Sequence, residues 1–130
     1  MNSDFDSRQP IYQQIIDKII TQIAKGDLAP GAKIASVRDL AMEYNVNPNT
    51  MQKSLAKLEE MGYLHTERTS GRFVTKDLAA IQALMQHMPQ KIIGDFVAEM
   101  TGIGIAPRQI CGHVAKYIEG MEDDGQNIGN

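Results

Sequence analysis

The sequence predicts a mainly α fold carrying one small β-hairpin, and three observations point there. Apolar residues recur at three- and four-residue steps through most of the chain, the spacing of one-sided helices. Start and stop residues bracket each of those stretches. Only after Gly62 does the period shorten, in two strand-like runs either side of Thr69-Ser70-Gly71. Composition agrees: no Trp, three Phe and four Tyr stand against eight Met, a mix suited to helix packing rather than to a β-sandwich.

Residues 1–9 have no periodicity and read as an arm. Ile11, Ile15, Ile16, Ile19, Ile20 and Ile23 form the stripe of a first helix. Pro10 gives it the fixed φ of a helix start, and Gly26 a left-handed exit. Leu28-Ala-Pro30-Gly31 is a turn and Lys33-Ile34 a short extended piece. Ser36 is an N-cap for a second helix, with Asp39 in the first turn near the positive helix end. Val37, Leu40, Ala41 and Tyr44 face inward, and Asn45 terminates. Asn47-Pro48 supplies a cap and a first helical residue for a third helix running to about Met61, with Met51, Leu55 and Leu58 as its stripe; Gly62 stops it. Tyr63–Arg68 and Arg72–Lys76 then flank a three-residue loop ending in Gly71, a common hairpin connection.

The remainder is helical. Leu78, Ile81, Leu84, Met85, Met88, Ile92, Phe96 and Met100 keep near-heptad spacing, with a kink or a break expected at Pro89. Gly102-Ile-Gly104 is a turn, and Pro107 restarts a helix striped by Ile110, Cys111, Val114 and Ile118 and ended by Gly120. Residues 121–130 are acidic, contain glycine and are expected to be disordered.

At 130 residues and a net charge of −3, the chain is one ordinary domain or a compact one with an appendage. Cys111 is the only cysteine, which excludes an intramolecular disulfide. No apolar run approaches the ~18 residues of a membrane span, and MNSDFDSRQP is unlike a signal peptide, so a cytoplasmic protein with no membrane partner is expected. Ten basic and ten acidic groups balance over residues 1–77, and the acid surplus lies wholly in residues 78–130. Within Lys33–Lys76 seven basic groups meet five acids. If nucleic acid binds there, a few placed cations must do it rather than a basic flood.

Two helices joined by three residues, the second opening with small polar groups, make a helix-turn-helix layout. A helix entering the ~12 Å major groove must be anchored by one apolar face and present short hydrogen-bonding groups near its N-terminus. The third helix meets both demands. Asn49, Thr50, Gln52 and Lys53 lie off its stripe, and Asn and Gln can pair bidentately with adenine. Arg38, in the first turn of the helix that would cross the backbone, suits a phosphate. Arg68, Gly71 and Arg72 equip the hairpin to press on backbone or minor groove. Each has an alternative: Arg38 can pair with Asp39 or Glu43, Asn49 and Thr50 can serve the helix start, and one of Arg68 and Arg72 is expected to be spent on Glu67 or its neighbours.

Pro10-Ile-Tyr12-Gln-Gln, Gly26-Asp-Leu-Ala-Pro-Gly31, Ser36-Val-Arg38-Asp-Leu-Ala41, Val46-Asn-Pro-Asn-Thr50 and Gly62-Tyr-Leu64 through Gly71-Arg-Phe-Val74 stand in the order seen in one family. In these motifs, over about residues 10–76, the chain resembles the GntR superfamily of bacterial transcription regulators, and its short helical remainder resembles the YtrA-like branch. The resemblance implies a winged helix-turn-helix that binds a palindromic operator as a dimer, with Arg38, Asn49, Thr50, Gln52 and Gly71 at positions that contact DNA. Pro48 and Gln52 stand where better-known members often have arginine, so their operator sequence does not transfer. Thr69-Ser70 replaces a more basic wing tip.

The resulting expectation is a winged helix-turn-helix DNA-binding domain (residues 8–76), a short helical dimerisation segment (77–120) and a disordered tail (121–130). The candidate DNA-binding set is Ser36, Arg38, Pro48, Asn49, Thr50, Gln52, Lys53, Arg68, Gly71 and Arg72. The candidate dimer interface is Leu84, Met88, Ile92, Phe96, Met100, Ile110, Val114 and Ile118, more apolar surface than two short helices hide alone. The function expected is a sequence-specific repressor on double-stranded DNA; the alternative is a winged-helix protein-interaction module with no DNA role. No catalytic set is spaced for chemistry. His65, His87, His113 and Cys111 lack metal-site spacing, so neither metal nor cofactor is expected. Any small-molecule effector would have to sit at the dimer seam, near Phe96, Cys111 and Tyr117.

Overall fold

The computed structural model describes residues 9–123. Five helices and one hairpin follow in the order α1 (Ile11–Lys25), α2 (Val37–Tyr44), α3 (Pro48–Glu60), β1 (Leu64–Glu67), β2 (Gly71–Val74), α4 (Leu78–Gly102) and α5 (Pro107–Asp123). The expected arm over residues 1–8 and the tail from residue 124 lie outside the described residues. None of the described helices is long and apolar enough to cross a membrane. The chain divides into two compact units, one up to Gln86 and one from His87.

Local chemistry sets the helix ends of the first unit. Ser36 Oγ accepts from the Asp39 amide at 3.1 Å, and Asn47 Oδ1 accepts from the Asn49 amide at 2.7 Å, so each side chain satisfies a helix donor that would otherwise lack a partner. Pro48 follows at the first helical position, where its missing N–H costs nothing. Asn45 takes the left-handed φ of 57° after α2, with the Val46 amide returning to the Ala41 carbonyl at 2.9 Å. Gly62 repeats the device after α3 at φ 92°, and the Tyr63 amide returns to Leu58 at 3.0 Å. Both exits turn the chain sharply enough for the next element to fold back.

Ile15, Ile16, Ile19 and Ile23 of α1 pack with Ala41 of α2, with Met51, Leu55 and Leu58 of α3, and with Leu64 and Val74 of the hairpin to form the core. Helix α3 touches α1, α2 and β1. β1 and β2 pair antiparallel, Leu64 opposite Val74 and Glu67 opposite Gly71. The loop is therefore Arg68-Thr69-Ser70, and Gly71 is the first residue of β2 rather than the last of the loop. The extended piece at Lys33-Ile34 adds to the free edge of β2, with a bridge between Lys33 and Phe73 and the Ile34 amide on the Arg72 carbonyl at 3.0 Å.

Three expectations change. α4 runs through Pro89 without the break that was one of the two outcomes expected there: the proline withholds one hydrogen bond, and the turns around it carry the helix on. α5 continues past Gly120 to Asp123, because no left-handed turn is made there and the glycine keeps helical geometry. Two residues assigned to a dimer interface, Leu84 and Ile110, are buried within the chain and are not available to a partner.

Candidate nucleic-acid interface

The base-reading edge predicted for α3 is presented outward. Met51, Ser54, Leu55 and Leu58 are fully buried, while Pro48, Asn49, Gln52 and Lys53 are exposed and Thr50 is half-buried. Ser54 was absent from the predicted stripe. Its hydroxyl donates to the Thr50 carbonyl at 3.0 Å and to the Tyr12 carbonyl of α1 at 3.1 Å. A small residue with one donor thus bolts the first turn of α1 to the middle of α3 where a larger side chain would push them apart. Nothing in a hydrophobic pattern marks such a position. Tyr12 also carries the Lys53 ammonium, 4.0 Å from its ring centre, so this cation is held over an aromatic face rather than swinging freely.

Ser36 and Arg38 are exposed at the start of α2. The Ser36 hydroxyl oxygen is engaged in capping, which leaves its O–H able to donate outward. Among the described residues the side chains of Arg38 and Arg68 meet no ion-pair or hydrogen-bond partner. Tyr44, half-buried later in α2, has its phenol pKa raised by burial first and by the Glu43 carboxylate second.

Arg72 differs from the other candidates. Its Nε lies 3.5 Å from Glu59 Oε1, its side chain is only 17% exposed, and the Nε atom is shielded from solvent. The pairing expected for one hairpin arginine is made, but with Glu59 on α3 instead of Glu67 on its own strand. Glu67 lies against His65 at 3.4 Å. Two residues that sequence reasoning passed over belong to this region. Glu59 ties hairpin to helix, and Lys33 lies across Gly71: a Cβ at Gly71, whose φ is 114°, would meet Lys33 Cε at 2.9 Å. That combination of positive φ and close approach explains why glycine stands there.

In the second unit, Phe96 and Met100 of α4 and His113, Val114 and Tyr117 of α5 line an open groove of about 530 Å³. Phe96 and Tyr117 of the proposed effector position are therefore neighbours on one groove. Cys111 is exposed and does not line it.

A buried-faced helix that leaves its polar leading edge exposed, preceded by a capped helix and followed by a hairpin, defines a winged helix-turn-helix DNA-binding regulator. Residues 11–74 match the bacterial regulatory proteins of the gntR family, and the chain belongs to that family. It is 31% identical over 120 residues to the uncharacterized HTH-type transcriptional regulator YhcF of Bacillus subtilis, covering 92% of this chain and 99% of YhcF. The HTH-type transcriptional repressor YtrA of the same organism is 39% identical over 71 residues, 55% of each chain. Among solved structures, a GntR family transcriptional regulator from Listeria monocytogenes superposes with a TM-score of 0.77 at 38% identity, covering 86% of this chain and 98% of that one. The DNA-binding domain of AraR in complex with operator ORR3 superposes on 58% of this chain and 88% of its own, at 28% identity and a TM-score of 0.50. The chain is a DNA-binding transcriptional regulator with the winged helix-turn-helix fold.

Proposed function

We propose that the protein is a repressor that binds a two-fold-symmetric operator as a homodimer and blocks polymerase by occupying the site. The observation that carries this reading is the outward edge of α3, Asn49, Gln52 and Lys53, on a helix whose opposite face is wholly buried. Asn49 and Gln52 read base edges in the major groove; Arg38, Lys53 and Arg68 hold phosphates; the Gly71 hairpin is the wing. Arg72 sets the wing in place. The repressor role is supported by the name carried by YtrA, and the operator by the AraR complex.

The case for a dimer rests on what the second unit leaves uncovered. Among its described residues, Ile110 is the only buried hydrophobic, while Ile92 is 63% exposed and Tyr117 71%. Ile93, Phe96, Val114 and Ile118 are exposed as well. A unit with a single buried apolar side chain among its described residues has no core of its own, and a second copy supplies the missing one. Met88, Ile92, Phe96, Met100, Val114 and Ile118 remain the interface candidates, joined by Ile93 and Tyr117. A two-fold axis then places two α3 helices about one DNA turn, ~34 Å, apart.

The test is selection of bound duplexes from a random pool, with sedimentation of the free protein. A selected sequence with two-fold symmetry and a sedimenting dimer are the expected results. An asymmetric winner bound by a monomer refutes the reading.

A further inference from the structure

We infer that Glu59, in the last turn of α3, is the residue that positions the wing relative to the base-reading helix. Its carboxylate meets both strands of the hairpin, by hydrogen bonds on β1 and by an ion pair on β2. Oε2 accepts the Thr66 backbone N–H at 2.9 Å and Oε1 accepts the Thr66 hydroxyl at 3.0 Å. The same Oε1 faces Arg72 Nε at 3.5 Å. Thr66 on β1 and Arg72 on β2 are cross-strand partners, so one carboxylate grips a matched pair of the hairpin.

The need for such a grip is physical. A two-stranded hairpin is marginal alone and takes its orientation from what it packs on. Here Leu64 and Val74, opposite each other, anchor its base in the core, and Lys33-Ile34 pairs one edge. The polar half nearer the loop is fixed to α3 by Glu59. Arg72 Nε is a shielded donor with no hydrogen bond of its own, and the Glu59 carboxylate is the charge that compensates it. Rotation of the hairpin away from α3 would uncouple all three contacts together. Base reading and backbone contact are thereby presented as one rigid surface, with Arg68 carried on the loop that Glu59 orients.

The inference rests on Arg68 being the wing's phosphate contact, and the experiment separates the two. Binding of the duplex selected by the wild-type chain is measured against salt for Glu59→Gln, Arg68→Ala and the double variant, alongside hydrogen exchange of the Thr66 amide. Removing an acid near DNA would by itself tighten binding. If Glu59 positions the wing, Glu59→Gln weakens binding by the same factor as Arg68→Ala, the double variant is no weaker than either, and the Thr66 amide loses protection while helix content stays constant. Where Arg68→Ala weakens binding, equal or tighter binding by Glu59→Gln, or weakening that adds to that of Arg68→Ala, overturns the inference. If Arg68→Ala binds as wild type while Glu59→Gln still unprotects Thr66, the phosphate role of Arg68 fails and the positioning role stands. Should Glu59→Gln not fold, Thr66→Val removes the hydroxyl contact alone and must show the same non-additivity with Arg68→Ala in milder form.

Discussion

Arg38→Ala gives the sharpest test of how a chain of net charge −3 holds a polyanion. Three exposed cations, Arg38, Lys53 and Arg68, are left for phosphates once Arg72 is assigned to Glu59. Each phosphate neutralised contributes about −0.9 to the slope of log K against log salt, so about six contacts in the proposed dimer give a slope near −5.4. Raising salt from about 50 to about 200 mM should then cost wild type about 10³-fold in affinity. Arg38→Ala removes one contact per half-site, flattening the slope by about 1.8 and shrinking that loss to about 10²-fold. Fluorescence anisotropy on one selected duplex and one scrambled duplex measures both. The variant should weaken both duplexes by similar factors, since a phosphate contact positions without specifying. An unchanged slope at unchanged affinity refutes the assignment of Arg38, and a wild-type slope near half the expected value refutes occupancy of both half-sites.

Four further outcomes are expected. Gln52→Ala should lose about 1–3 kcal/mol of discrimination at one base pair, seen as a flattened preference in repeat selection, with scrambled-duplex binding unchanged. Phe96→Asp should sediment as a monomer, because a carboxylate in the apolar face of the second unit opposes burial; a persistent dimer moves the interface elsewhere. Asn47→Ala removes the acceptor 2.7 Å from the Asn49 amide and should cost about 1 kcal/mol, read by thermal unfolding. Tyr44 carries a raised phenol pKa, so the folded chain keeps that proton more tightly than the unfolded one. Its contribution is whole below about pH 10 and falls as pH rises beyond that; urea unfolding of Tyr44→Phe should lack this part of the alkaline decline.

What the sequence revealed and what it hid follow from the range of the interactions concerned. Caps and exits act within a few residues, so Ser36, Asn45, Asn47 and Gly62 could be placed by reading along the chain. The isoleucine stripe of α1 and the Met51, Leu55, Leu58 stripe of α3 were legible for the same reason. Glu59 was not, because its partners Thr66 and Arg72 lie across a turn whose path only the fold determines. Ser54 was hidden more deeply, since its partner is the carbonyl of Tyr12 in another helix. Along α4 and α5, periodicity marked the apolar residues but could not say which of them face the chain's own neighbours: Leu84 and Ile110 are buried, while Ile92 and Ile118 are exposed. Pro89 and Gly120 show the limit of breaker residues, whose local cost an established helix can absorb.

The sparse charge of the reading head and the bare apolar face of the second unit are two sides of one arrangement. In the proposed dimer, three cations and a short base-reading edge per protomer would give a half-site grip that salt readily loosens. On that reading, nonspecific attachment to DNA is correspondingly weak. Joining two such heads makes the second contact intramolecular, and avidity then exceeds either half-site affinity by about 10²–10⁴. Specificity in the proposed dimer therefore depends on pairing as much as on Gln52 or Asn49, since only a site with both halves correctly spaced earns the joint contact. Phe96→Asp, which touches no residue assigned to DNA, should accordingly erase most preference for a two-fold site while leaving half-site binding as it was. A monomeric variant that kept full operator affinity would mean that one head suffices, and the reason for the uncovered helices would lie elsewhere.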